Sequence, residues 1–176
     1  MTANVSWSDL EDIETMQQNK NSKGFSLIEL LIVVAIIGII AALAIPNLLA
    51  SRRAANEGSA LSAMRSIHRA QTTYYNTAGS GAYGTLADLR TRNLIDPVLG
   101  NGAKSGYTFS CPAGNITVGP PPTFFATAVP RDLSAISRTG HRSFAVADDG
   151  VVRGKVGDIA AANYAAATNS GTWPPL

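Results

Sequence analysis

KGFSLIELLIVVAIIGIIAALAIP, residues 23–46, is the stretch around which the rest of the chain has to be read. From Leu27 to Ile45 every residue except Glu29 is apolar or glycine. As a helix rising ~1.5 Å per residue, this run is about as long as a ~30 Å hydrocarbon core is thick. It is apolar on every side, unlike the one-faced helices that pack on soluble cores. The residues therefore favour a membrane span. Residues 1 to 23 are polar and hold no apolar segment that would make an ordinary secretory signal.

On the N-terminal side, Lys20 and Lys23 precede Gly24 at the edge of the apolar run. Gly24 offers a peptide bond without a side chain to a protease at the membrane face, and the lysines favour the cytoplasmic side for it. Arg52 and Arg53 beyond the span put positive charge at the other end too, so charge alone does not set the topology. Glu29 is the exception inside the run. A carboxylate at the centre of a membrane helix costs about 2.5–3.5 kcal/mol on insertion scales, and such groups are usually paired or functional. One reading has Glu29 snorkelling to the interface near the helix N-terminus, where the dipole favours it. The sharper reading is that cleavage after Gly24 creates a cationic amine on Phe25, which pairs with Glu29 of a neighbouring copy and sets the register between them.

Toward the C-terminus the helical pattern does not stop at Pro46. Helix formers continue to about Asn76, interrupted by Gly58, with Leu61, Met64, Ile67, Gln71 and Tyr74 at three- and four-residue intervals on one face. A helix of roughly fifty residues from Phe25 to Asn76 would be about 75 Å long. Gly79 to Gly84 forms a break, and TLADLRTRNLI (85–95) reads as a short helix. Strands are expected at Gly106–Cys111, Thr123–Val129, Ser143–Ala147 and Val151–Val156 from alternating aromatic and β-branched residues. Asp148, Asp149 and Gly150 suit the turn of a hairpin, Pro120 to Pro122 an extended connection, and GNGAKS (100–105) a loop. No element is read in the Ala-, Asn- and Gly-rich tail from Gly157. The fold class expected is α+β, with one long N-terminal helix packed through Leu61, Met64, Ile67 and Tyr74 on a roughly four-stranded antiparallel sheet.

Composition narrows the function. Net charge is +2; without residues 1 to 24, twelve Lys/Arg remain against eight Asp/Glu. No basic run or aromatic interleaving accompanies that excess, so nucleic acid is not expected as a primary partner. His68 and His141 form neither a helical metal pair nor a triad, and GNGAKS has the wrong glycine-to-lysine spacing for a phosphate loop. Asp148 and Asp149 are read as turn residues rather than cation ligands. No catalysis, metal or cofactor is expected. Cys111 stands alone in the chain, which excludes an internal disulfide and a c-type haem attachment and leaves a small buried residue as the favoured reading. Gly38 and Ala42 make a small-xxx-small pair through which another helix can approach.

Lys23, Gly24, Phe25 and the carboxylate of Glu29 in its apolar setting resemble the class III signal of type IV pilins and type II secretion pseudopilins, and the match covers about residues 23 to 53. The resemblance implies a pilin fold and cleavage between Gly24 and Phe25 by prepilin peptidase. It further implies N-methylation of Phe25 and docking guided by Glu29. Pro46 is similar in offset to the family's helix-kinking proline. It implies no cofactor, and a precursor held by a single span in inner-membrane lipid, from which assembly machinery builds a homo-oligomeric helical filament outside the cell. On this reading residues 1–24 are leader, 25–50 the transmembrane and filament-core half of the helix, and 51–176 its amphipathic half plus the head. A major pilus subunit is favoured; a pseudopilin or minor pilin is the alternative within the family, and a monomeric membrane-anchored binding protein the alternative outside it. The chain departs from the family in its unpaired Cys111, where many type IV pilins close a disulfide, in lacking a recognisable calcium loop, and in its long leader with an acidic first half. A start at Met16 gives the leader MQQNKNSKG, with two lysines and no acid. Intact-mass measurement of precursor from a peptidase-deficient strain is expected to begin at Met16; a mass that includes residues 1 to 15 refutes that start.

Overall fold

Good helix formers on both sides of Pro46 carry one helix, α1, from Leu27 to Asn76 (50 residues). The computed structural model describes residues 24–112, 122–132, 134, 137–157 and 159–176. The leader with Met16, Lys20 and Lys23, and Pro120 and Pro121 of the extended connection, lie outside them. Pro46 removes one helix N–H, yet it sits inside α1 without ending it. The chain's contacts divide between Ala44 and Ile45. In the first part, the apolar window long enough to cross a membrane is wholly unburied.

In the second part, α1 buries Ala60, Ala63, Met64, Ile67, Ala70 and Gln71. Its last turn ends in the glycine-rich break, where Gly79 N–H donates to the Tyr74 carbonyl at 2.8 Å. A side chain at Gly79 would collide with the Ala82 carbonyl and the Tyr74 ring, so glycine is required there. Two short helices follow: α2, Leu86–Thr91, and α3, Pro97–Gly100. Thr85 and Asp88 form a reciprocal capping box at the start of α2. Asn93, at φ 55°, turns the chain after α2, so the expected 85–95 helix is cut to six residues.

The strands are β1, Ala103–Lys104; β2, Tyr107–Ser110; β3, Phe125–Pro130; β4, Arg142–Ala147; and β5, Val152–Val156. They lie in sequence order, each antiparallel to the next. The sheet therefore has five strands where four were expected. The added strand, β1, falls within the stretch read as a loop. Positive φ at Gly102, Ser105 and Gly106 folds Ala103 and Lys104 back onto Thr108 and Tyr107, and a two-residue strand carries no alternation from which to recognise it.

Alternation does sort the two faces. Tyr107, Phe109, Ala126, Ala128, Phe144, Val146 and Val152 share one core with Met64 and Ile67 of α1, against which Leu61 and Tyr74 are partly buried. The opposite face is covered as well. Phe125, Ala145 and Ala147 pack with Ala161, Ala167 and Trp173 of the tail, which contains a final helix, α4, Tyr164–Thr168. The tail then runs along β5: Gly154 N–H donates to the Pro174 carbonyl at 3.0 Å and Leu176 N–H to the Val152 carbonyl at 3.2 Å. Trp173, 2% exposed, anchors that second layer.

Gln71 is the polar residue of the main core, fully buried. Its amide donates to the Gly84 carbonyl and accepts from Gly84 N–H at 2.9 Å, and Nε2 also reaches Cys111 Sγ at 3.3 Å. One side chain thus ties the loop after α1 both to the helix and to the end of β2. Burial pushes the Cys111 thiol up to about 11, against the opposing hydrogen bond from Gln71, so at neutral pH it is an inert thiol held in a core. Gln71→Leu leaves the buried Gly84 N–H without a partner, at about 1–3 kcal/mol, and leaves its carbonyl only the weak contact from the Cys111 thiol at 3.8 Å. The expected result is a clearly lowered urea midpoint with unchanged slope, followed by circular dichroism; a midpoint equal to wild type refutes the clamp.

Candidate functional site

The segment singled out by its chemistry is built at the entry to α1. Gly24, Phe25 and Ser26 precede the helix without regular structure, and the Leu30 N–H donates to the Ser26 carbonyl at 3.2 Å, which closes the first turn. Gly24 has nothing within 4 Å of where a side chain would stand, and Phe25 is 80% exposed. The peptide bond between them lies in an open, non-helical stretch, the form in which a protease can take it. Glu29 occupies the first turn of α1, where the helix dipole favours negative charge.

Beyond Glu29 the helix shows one continuous apolar surface. Leu27, Ile28, Leu30 and Leu31 are each more than half exposed, and large apolar residues stay exposed as far as Leu48. Gly38 has open space around it, and Ala42 lies one helical turn further on the same side. Pro46 cannot donate to the Ala42 carbonyl, so the small-residue face runs into the point where the helix ladder is weakened. Leu61, Met64, Ile67 and Tyr74 belong to the head, with Met64 and Ile67 completely buried and Leu61 and Tyr74 at the margin of the core. The predicted residues therefore fall into two groups along α1: an exposed set up to Pro46 and a core-forming set from Leu61 on.

Sequence reasoning missed the anchoring role of Trp173 and the reach of Gln71 to Cys111. An aromatic residue in a tail otherwise rich in Ala, Asn and Gly is the signal that points to the first. The second joins positions 40 residues apart, and no local pattern records it. Among the described residues no group of three or more His, Cys, Asp or Glu side chains is placed to hold a metal.

The comparisons bear on the same segment. The family described as Prokaryotic N-terminal methylation motif matches residues 19–45. The chain is 35% identical over 100 residues to the type IV major pilin protein PilA of Myxococcus xanthus, an alignment covering 57% of this chain and 42% of that protein. It is 68% identical over 38 residues to the type IV wide pilus major component PilA4 of Thermus thermophilus, covering 22% of this chain and 29% of that one. It is 30% identical over 104 residues to the type II secretion system core protein G of Escherichia coli, covering 56% of this chain and 69% of that protein. The chain thus spans less than half the length of the first two relatives and about two thirds of the third. No solved structure matches it significantly. With the methylation motif at the head of α1, a long helix packed on an antiparallel sheet, and an alignment running through most of a curated relative, the chain belongs to the type IV pilin family in the wide sense that includes type II secretion core proteins.

Proposed function

We propose that this chain is the major structural subunit of a type IV pilus. Prepilin peptidase cuts it between Gly24 and Phe25, Phe25 is N-methylated, and the inner-membrane assembly machinery draws the product into a homo-oligomeric filament outside the cell. The observation that carries this reading is the bare apolar half of α1. Fifteen large apolar side chains between Phe25 and Leu48 are exposed. At about 1.5 kcal/mol or more each, leaving them in water would cost on the order of 20 kcal/mol. That exceeds the ~5–15 kcal/mol by which a typical domain is stable. The helix half therefore has to be covered by something else, lipid before assembly and other copies of itself afterwards.

Exchanging lipid for helix gains nothing from the hydrophobic effect, since both are apolar. Specific contacts must drive assembly instead. Gly38 and Ala42 let two helices approach closely, while Pro46 loosens the ladder where the packed half meets the head. The Phe25 amine released by cleavage meets Glu29 of the adjoining copy, so a carboxylate that is a liability in lipid becomes the group that fixes the stagger. In this scheme the chain supplies no catalysis of its own.

Core protein G of E. coli, of which the alignment covers 69%, favours a second reading as a secretion pseudopilin. Abundance in filaments sheared from the cell surface distinguishes the two: a major pilin dominates them and a pseudopilin does not. Mass spectrometry of the mature protein is expected to find N-methylated Phe25 as the first residue; a surface protein that keeps Lys23 and Gly24 overturns the processing step. Glu29→Ala is expected to leave processed protein in the membrane and abolish filaments in electron micrographs. Normal filaments from that variant would remove Glu29 from the assembly scheme.

A further inference from the structure

At a cleft in the head, Arg53 of α1 meets His141, 88 positions along the chain, with Arg138 on the far side of the imidazole. Arg53 of α1 and His141, just before β4, line a cavity of about 180 Å³ together with Ala50, Ala54 and Glu57. Arg53 Nη1 stands 3.4 Å from His141 Nε2, and Arg138 Nη1 stands 3.5 Å from His141 Nδ1. The imidazole is thus held between two guanidinium groups. A guanidinium only donates hydrogen bonds, and a neutral imidazole has one accepting nitrogen while the other carries a hydrogen. In either tautomer one of the two contacts sets N–H against N–H, and protonation of the ring makes both so. In addition, Nε of Arg53 and Nε of Arg138 are both buried without an acceptor. The cluster has more donors than it can use.

The site is also held in shape. Asn56 Nδ2 donates to the Thr139 carbonyl at 3.0 Å, and Glu57 Oε1 accepts the His141 backbone N–H at 2.7 Å. Consecutive residues of α1 therefore pin the 139–141 segment from which Arg138 and His141 project. Glu57 is the acid of the cleft, and that hydrogen bond already occupies one of its oxygens. Glu57 makes no hydrogen bond to either Arg Nε, so what those two groups lack is an acceptor that reaches both. Planar guanidinium forks match a phosphate or carboxylate group in two-point fashion, and phosphate offers acceptors to both forks and to the ring at once.

We propose that the Arg53–His141–Arg138 cluster is a binding site for a phosphate group, filled by the headgroup of an anionic phospholipid while the subunit is held in the membrane. The choice of lipid follows from position along α1. Arg53 comes eight residues after Ile45, about 12 Å of helix rise; the headgroup layer of a bilayer is roughly 5–8 Å deep on each side, and a helical side chain tilts back toward the N-terminus, so its guanidinium reaches that layer. Exposed Arg52 adds charge beside it. The phosphate chemistry stands on the geometry of the cleft alone, whereas the lipid source rests on the membrane-held stage proposed above. Arg53 taken as a topology signal and His141 as a strand neighbour are 88 positions apart, which hides their meeting from the sequence.

The test reads the orphaned atoms directly. The Arg53 and Arg138 Nε–H resonances of the full chain in maltoside micelles are followed by NMR during titration with inorganic phosphate, with short-chain phosphatidylglycerol, and with an uncharged short-chain diacylglycerol. Saturable shifts of both resonances with phosphatidylglycerol and none with the uncharged lipid are expected. Arg138→Gln should weaken the apparent affinity at Arg53 about tenfold or more, with Arg138→Lys in between because it keeps charge but not the fork. An unmoved Trp173 indole resonance reports that each variant is folded. Response to inorganic phosphate but not to the lipid keeps the phosphate site and overturns the lipid source. If neither ligand moves the resonances, the proposal fails. If Arg53→Gln and Arg138→Gln then reduce filament yield, the arginines belong to contact with a second copy.

Discussion

The constraint on which the rest of the structure depends is that one helix has to satisfy two surroundings. From Ala60 onward, α1 is an ordinary core helix whose small residues Ala60, Ala63 and Ala70 let the sheet approach while Met64 and Ile67 fill the space between. Before Pro46, the same helix carries apolar groups on every side, and the described residues leave them unburied. A soluble domain gains stability by hiding such groups. Here the head reaches a closed core without them, which leaves the first half free to exchange one apolar environment for another.

A head that closes on itself has to do so on both faces of its sheet. The central strands β3 and β4 present aromatic and aliphatic side chains to α1 on one side and Phe125, Ala145 and Ala147 to the tail on the other. Without Trp173 and its neighbours the second set would face water. Family members often close this region with a disulfide, an option that a single Cys111 excludes. Packing and hydrogen bonds replace it: Gln71 clamps the loop at Gly84 and touches the Cys111 sulfur, while the tail holds β5 through backbone bonds.

The span, the long helix, the stripe through Met64 and Ile67, and the strands around Phe109, Phe125, Phe144 and Val152 were legible in the sequence because each is recorded in a local period. A run of apolar residues is long enough or it is not, and strand alternation survives inspection residue by residue. The rest was hidden because it depends on contacts without a period. β1 is two residues set by three positive-φ turns. The tail has little hydrophobic pattern, and its place is decided by a single tryptophan finding the uncovered side of β4. The meeting of Arg53 with Arg138 and His141 needs the fold to bring a helix and a loop together. For Gly24, Phe25 and Glu29 the reading is chemical rather than geometric, and the structure adds only that they stand at the open entry to α1.

In the proposed filament, subunits crowded side by side also need protection from pairing through their sheets. An unpaired edge strand is a template for another chain, and a head with two open edges would compete with the helices for control of assembly. Both edges here are blunted. At β5, the Gly154 N–H and the Val152 carbonyl are already taken by Pro174 and Leu176, and two prolines in that covering segment have no N–H to offer a further strand. At the other edge, β1 is only two residues long, and its Lys104 is tied to Asp96 at 2.9 Å. A short, charged edge offers little register for a visiting strand. With both sheet edges blunted, the apolar half of α1 remains as the surface with the most to gain from another copy, which is why the proposed filament is built on the helix and carries the head along with it.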